Sequence, residues 1–370
     1  MSANTSTLYY LYPIANKVSF HFISKQHILY MRKILQDRVK IVEAEVDTFD
    51  PTSWGVNRKL LIHPLFYPFF TGINKRALAK VSKLKQCINK GYRLVGFDTA
   101  DSDRISDKAI ELTSFCEGVI VPSNFAKQTY VNSGVYRPVY VVPHGVPDEF
   151  LKKNKEITNP EILKIKQIKD KNNFILVHFN LTHSGKRKGA DLFIKAMQLV
   201  QEENKDIVVL LKRADIVDDY VWWLRRLRTI EVAGYLNTDS YRQLFDISDI
   251  VVLASRGGGF ECIAIEGLAR GVPTIVPKAG CFLDYIQYAI PVPVTDNKPI
   301  VLPNNPIHTG RGWEIDVYKL ADTILKVANS IDKEKKKANQ NAIEVCRRFY
   351  WGTIAKQIIK ILYDLEIIKV

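Results

Sequence analysis

The run Gly257-Gly258-Gly259 lies between an apolar segment over 250–253 and an amphipathic segment over 261–270 that stops at Gly271, and Pro273 opens a further apolar run over 274–276. Strand, tight glycine loop, helix and strand in this order make a βαβ unit, which calls for a parallel sheet. Glycine lets a backbone approach a ligand closely, and the following helix turns its unpaired N–H groups toward the same spot. A strand-to-helix turn alone needs one glycine. Three in succession favour a bound phosphate or diphosphate over a purely structural turn.

The same alternation runs along the chain. Short apolar runs over 7–12, 59–65, 93–97, 118–121 and 139–142 read as parallel strands, with helical stretches over 107–116 and 124–132. Over 147–173 the composition shifts to Lys, Asn, Glu and Asp, as a connection and a solvated helix would. A second series then places strands over 174–179, 207–211, 230–233, 250–253 and 274–276 and helices over 190–202, 239–245 and 261–270. An amphipathic helix over 354–365 is placed to cross back to the first half. The prediction is an α/β protein of two Rossmann-like domains facing across a cleft, 1–150 with 350–370 and 151–349, with ligands at the carboxyl ends of the strands.

Composition narrows the class. A chain of 370 residues, 46% of them hydrophobic, is neither disordered nor a disulfide-stapled mini-domain. Its cysteines, Cys87, Cys116, Cys262, Cys281 and Cys346, are scattered without a C-x-x-C pair, so no metal site is predicted. Lys and Arg outnumber Asp and Glu by 53 to 39, which favours anionic partners such as a nucleotide, an acidic membrane or nucleic acid. No apolar run reaches the roughly 18 residues of a membrane span. The first residues carry neither a basic n-region nor a small-residue cleavage site, and the expected location is cytoplasmic.

The segment from Ser255 to Pro277 resembles the signature of the retaining GT-B glycosyltransferases of the GT4 type. In that family a loop of roughly E-G-F-G precedes a helix containing E-A-[ML]-A-x-G-x-P-V. Glu266, Gly267, Leu268, Ala269, Gly271 and Pro273 match its second part. Val121-Pro-Ser123 with Gly134, Val141-Val-Pro-His-Gly-Val146, Lys188-Gly-Ala-Asp191, the strand before the signature, Gly280 with Asp284, and Phe349-Tyr-Trp351 resemble further family elements, so the likeness covers about 118–365. The resemblance implies the GT-B fold and a sugar carried by a nucleoside diphosphate, UDP or GDP, with no cofactor required. It implies that Glu266 accepts hydrogen bonds from the nucleotide ribose and that Lys188 binds the donor diphosphate. A fixed ammonium stabilises a departing diphosphate on chemical grounds as well. The competing readings are a solvated helix residue for Glu266 and one more surface charge for Lys188.

Two departures stand out. The first glutamate of the family's pair would fall at Gly258, and Glu261 lies three residues on. Five positions apart on a helix, Glu261 and Glu266 would stand roughly 140° around from each other. Whether Glu261 or the amides of Gly257, Gly258, Gly259 and Phe260 take over the sugar contact stays open, and Glu261 could equally serve the helix's positive end. The family arginine upstream of the lysine is also missing, with Lys186 or Arg187 as substitutes. In the first half, where the family supplies a histidine, the strand over 93–97 runs into Asp98, Asp101 and Asp103. Asp98 is the candidate to bind sugar hydroxyls, against helix capping by Asp101 or Asp103. His144, in the P-H-G-V element, is placed at the cleft edge.

From Pro51 to Phe97 there is no Asp or Glu, whereas Arg58, Lys59, Lys75, Arg76, Lys80, Lys83, Lys85, Lys90 and Arg93 are basic. A helical wheel sets Ile73, Ala77, Val81, Leu84 and Ile88 on one stripe and Lys75, Arg76, Lys83 and Lys90 opposite. With the aromatic run Phe66, Tyr67, Phe69 and Phe70, the segment 66–93 suits peripheral contact with an anionic membrane, and a core-facing stripe with a solvated basic face suits it equally. Trp222, Trp223, Arg225, Arg226 and Arg228 form a second cationic-aromatic patch, expected to be an ordinary helix face. The reading is a glycosyltransferase with a nucleotide-sugar donor and a glycan, lipid or protein acceptor. A sugar-nucleotide 2-epimerase and a non-catalytic sugar-nucleotide-binding protein are the alternatives. No nucleic-acid motif is present, and a nucleic-acid partner is not expected.

Overall fold

The computed structural model describes residues 6–16, 18–66, 75–152, 156–181, 184–215 and 219–369, and of 75–81 the backbone. The chain divides into two compact units. The first comprises Met1–His144, Leu302–Gly310 and Trp351–Val370; the second comprises Gly145–Val301 and Arg311–Tyr350.

In the first unit β1 (Ser6–Tyr12), α1 (Ser19–Leu35), β2 (Val39–Glu45), β3 (Lys59–Ile62), α2 (Lys75–Asn89), β4 (Arg93–Phe97), α3 (Asp107–Ser114), β5 (Gly118–Val121), α4 (Asn124–Ser133) and β6 (Val139–Val141) follow one another. The strands form a six-stranded sheet in the order β2-β1-β3-β4-β5-β6, every pairing parallel. β3 is shorter than predicted. Pro64 has no N–H to donate to a ladder, and the strand ends ahead of it. β2 is not predicted from the sequence, because Lys40, Glu43 and Glu45 leave it no apolar run longer than Ile41-Val42.

In the second unit α5 (Asp148–Leu151) and α6 (Pro160–Asn172) precede β7 (Ile175–Leu181), α7 (Ala190–Glu203), β8 (Ile207–Arg213), α8 (Tyr220–Leu224), β9 (Thr229–Val232), α9 (Thr238–Ile247), β10 (Ile250–Val252), α10 (Cys262–Ala269), β11 (Thr274–Pro277), β12 (Ile290–Val292), α11 (Val317–Asn329) and α12 (Ile331–Arg348). Its sheet is also parallel, in the order β12-β11-β10-β7-β8-β9. This is the doubly wound arrangement, with the strand order reversing between β7 and β10.

The last helix, α13 (Trp351–Asp364), belongs to the first unit. Its Ile354, Ala355, Ile358 and Leu362 join Ile28, Met31 and Leu35 of α1 in covering one face of the sheet over Leu8, Tyr10, Val95 and Phe97. Arg93 of β4 donates to the carbonyls of Leu365 and Glu366, satisfying groups at the end of α13. The other face is covered through Leu84, Cys87, Ala109, Leu112, Ala126 and Tyr130.

The wheel expected for α2 is corrected at its end. Cys87 is buried and Ile88 is 43% exposed, so the inward stripe runs through Leu84 and Cys87. Lys83 donates to the carbonyl of Phe49 and Lys90 to that of Pro51, so both lysines tie down the loop ahead of β3. Phe66 is fully buried. Tyr67, Phe69, Phe70 and Ile73 lie outside the described residues, as do the side chains of Lys75, Arg76, Ala77, Lys80 and Val81. Among the described residues, no helix is long and apolar enough to cross a membrane.

Candidate active site

In a doubly wound sheet the loops leaving the strands on either side of the reversal part company, and the crevice between them holds ligand. Here those strands are β7 and β10. A small recess at their carboxyl ends is lined by Phe179, Asn180, Lys188, Val252, Leu253, Ser255, Glu261 and Ile263.

Two loops build it. The one after β7 carries Lys186, Arg187 and Lys188 and enters α7 through Gly189, whose φ is +70°. A Cβ at Gly189 would stand 1.9 Å from the carbonyl oxygen of Ala254, so only glycine lets this loop press against the one after β10. Arg256 locks the pair. Its guanidinium is almost wholly buried and forks onto Asp191 at 2.6 and 2.9 Å; it also meets Glu314 at 2.7 Å and the carbonyl of Lys186 at 2.8 Å. Its backbone N–H donates to the carbonyl of Arg187 at 2.7 Å. The basic loop is therefore held by a planar bidentate clamp.

Within the recess Lys188 Nζ lies 2.8 and 2.7 Å from the two carboxylate oxygens of Glu261. Ser255 Oγ donates to Glu261 Oε1 at 3.1 Å. The Glu261 side chain is 3% exposed and that of Lys188 16%. A Cβ on Gly258 would fall 2.8 Å from Glu261 Oε1 and 3.7 Å from Arg187 Nη1. The carboxylate of Glu261 thus occupies the space a side chain at 258 would enter. Arg187 Nη1 donates to the carbonyl of Gly257 at 3.1 Å, and Phe260 packs edge-on against Tyr285.

The helical-wheel relation between Glu261 and Glu266 is corrected. Glu261 has φ −117° and ψ 94° and precedes α10, so its direction is set by the extended loop. Glu266 lies a turn into the helix, 9% exposed, and bonds with Tyr241 of α9. Burial pushes its carboxyl up to about 7, against the lowering effect of the Tyr241 hydroxyl. Asn180 Nδ2 donates to Tyr241 Oη at 2.6 Å, and Asn180 Oδ1 meets His178 Nε2 at 2.9 Å. Glu266 is therefore linked through Tyr241 to Asn180, which lines the recess. Ser255 and Arg256 adjoin the glycine run, and that position was the available signal for them; nothing in the sequence marked Asn180 or Tyr241.

Asp98 and His144 belong to the first unit. Asp98 follows β4 and accepts the N–H groups of Phe66 at 2.5 Å and Thr99 at 2.7 Å. Burial raises its carboxyl to about 7 in spite of these bonds. Asp101 and Asp103 do not cap α3; Ser106 does, accepting from the N–H of Ala109. His144 is buried and stacks on Phe97 with ring centroids 5.8 Å apart. His63, just after β3, and His27 of α1 lie with their ring centroids 6.3 and 6.4 Å from it. Ser24 Oγ and His63 Nδ1 are 2.8 Å apart, as are Tyr10 Oη and His27 Nδ1. Burial holds all three imidazoles neutral, His144 down to about 3. His27 and His63 were not singled out from the sequence, since isolated histidines carry no spacing signal.

A recess holding the Lys188–Glu261 pair at the reversal point of a parallel doubly wound sheet lies where α/β proteins of this arrangement hold their ligands. Comparison with known proteins makes the class specific. Residues 173–305 match the family described as Glycosyl transferases group 1. The chain is 31% identical over 369 residues to uncharacterized protein 356 of Sulfolobus islandicus rod-shaped virus 1, covering 96% of this chain and 98% of that one. It is 27% identical over 344 residues to a Sulfolobus islandicus filamentous virus protein named as a glycosyltransferase, covering 89% of each. The solved E. coli trehalose-6-phosphate structure bound with UDP-2-fluoro glucose superposes with a TM-score of 0.70 at 11% identity, over 98% of this chain and 99% of that one. The chain belongs to the group 1 glycosyltransferases and has the GT-B fold. It is an enzyme of the transferase class.

Proposed function

We propose that the protein transfers a sugar, with retention of anomeric configuration, from a nucleoside diphosphate donor to an acceptor hydroxyl. The bond between the sugar's anomeric carbon and the diphosphate oxygen breaks. A bond from that carbon to the acceptor oxygen forms on the same face, and the acceptor's proton leaves. The observation that carries this reading is the Lys188 ammonium held at the sheet's reversal point beside the glycine run. The charge that gathers on the departing diphosphate is what a fixed ammonium and loop amides stabilise best. The donor nucleotide in this reading is UDP or GDP, and the UDP sugar in the E. coli neighbour favours UDP.

Glu261 is the residue we assign to the sugar. Its carboxylate lies where a side chain at 258 would reach, so it supplies from three residues on the acid that Gly258 lacks. Glu266 and Tyr241 are assigned to the ribose, and the amides of Gly257, Gly258, Gly259 and Phe260 to the diphosphate. In the first unit Asp98 is assigned to hydroxyls of the transferred sugar and His144 to the donor, with a glycan, lipid or protein hydroxyl as acceptor. Contact of 66–93 with an anionic membrane belongs to this proposal and draws support from the charge pattern alone.

Incubating the protein with radiolabelled UDP- and GDP-sugars and candidate acceptors tests the reading. Transfer by the wild type, and a turnover in Lys188→Ala that falls by more than its donor affinity does, are expected. An unaltered rate constant in that variant refutes the assignment. Isomerised donor without acceptor marks an epimerase, and binding with neither transfer nor hydrolysis marks a non-catalytic binder.

A further inference from the structure

The short helix α8 is anchored from within and bare outside. Val221 and Leu224 are completely buried, whereas its two adjacent tryptophans, Trp222 and Trp223, are 62% and 50% exposed. Arg225, Arg226 and Arg228 are also exposed. Each indole carries a guanidinium on one face: Arg225 lies 5.4 Å from the centroid of Trp222, and Arg226 4.4 Å from that of Trp223. Arg225 is spent on Glu231, to which it donates at 2.7 and 2.9 Å. Arg226 and Arg228 have no carboxylate partner among the described residues, and 220–230 contains no acidic residue. Asp215, Asp218 and Asp219 precede the helix in the sequence.

We propose that this Trp-Arg surface of the second unit docks on an anionic lipid bilayer. Two neighbouring exposed indoles are costly in water and rare without a partner, and indole, with an apolar body and one N–H, settles at the headgroup level of a membrane. Stacking holds Arg226 at the height of the Trp223 ring, where a lipid phosphate meets it, and the chain's charge of +14 draws the protein toward an anionic surface. Single-stranded nucleic acid would need open ring faces for its bases. Here a guanidinium lies over one face of each ring, so an oligonucleotide is kept as an outcome of the test. None of its residues lines the recess, and the inference does not rest on the transfer reaction.

Sedimentation with sucrose-loaded vesicles tests it, using the full chain without nucleotide sugar. One set of vesicles is phosphatidylcholine alone, the other equal parts phosphatidylcholine and phosphatidylglycerol. Wild type is expected to pellet with the anionic vesicles and to stay in solution with the neutral ones. Replacing both indoles (Trp222→Ser with Trp223→Ser) should weaken the anionic partition by about tenfold or more with an unchanged melting temperature. Arg226→Gln with Arg228→Gln should cut the dependence on phosphatidylglycerol. Wild type remaining in solution, or a double tryptophan variant that pellets as wild type does, overturns the proposal. So does an oligonucleotide that binds through the same tryptophans and strips the protein from vesicles, or a self-association that the tryptophan substitutions abolish.

Discussion

Lys188 and Glu261 neutralise each other in a largely buried position, and that pairing sets what their substitutions should do. Removing one partner of such a pair leaves the other charge desolvated, at a cost of about 3–5 kcal/mol when burial is deep. Lys188→Ala should therefore lose stability as well as turnover, and Lys188→Ala with Glu261→Ala should recover much of the stability and none of the turnover. Chemical denaturation beside a transfer assay separates the two. Stability equal to wild type in the single variant would mean that water already screens the pair. Gly258→Ala is the complementary test. Its methyl group would stand 2.8 Å from Glu261 Oε1, so the carboxylate must move. Donor affinity is expected to fall with roughly 1–3 kcal/mol of lost stability. An enzyme indifferent to this substitution would place Glu261 outside the donor site.

The element that depends most on distant parts of the chain is α13, an amphipathic helix with no sheet partner of its own. Ile358 is fully buried against the first unit's sheet. Ile358→Ala should cost about 2–5 kcal/mol, read from the shift of the denaturant midpoint. A shift within error would mean that the helix is not part of that core. The helix itself was legible from its apolar spacing, as was the loop-helix-strand unit around Gly257, because both rest on periodicity and glycine. β2 was not, since Lys40, Glu43 and Glu45 interrupt its apolar residues at a sheet edge where most of the strand is only partly buried. The candidate site was legible where it follows the chain, at Lys188 and the glycine run. It was not legible where it follows the fold: the Arg256 clamp onto Asp191 and Glu314 and the Glu266-Tyr241-Asn180 link join residues whose separation only the sheet order closes. The extended backbone at Glu261 shows the same limit, since a helical wheel applies only where a helix has begun.

For the molecule as a whole, buried ionisable groups fix the response to acid. His144 is held at about 3 against an ordinary value of 6.5, and His27 and His63 are lowered in the same sense. Over that window the unfolded chain binds the protons, so stability falls as pH falls from 6.5 toward 3. Asp98 works the other way: raised from 3.8 to about 7, it gives stability that is complete below its unfolded value and lost as pH rises toward 7. His144→Gln should flatten the acid loss by roughly 1 kcal/mol per pH unit, measured from urea midpoints across the window. An unchanged slope would show that His144 takes up its proton in the folded state. The account stands or falls on the recess between β7 and β10, and titration calorimetry reaches it most directly. A panel of UDP- and GDP-sugars is injected into the wild type and into Glu266→Gln. Saturable binding of at least one nucleotide sugar to the wild type, weakened about tenfold or more in the variant, is the predicted result. Heat from none of them, or equal affinity in both proteins, would contradict it.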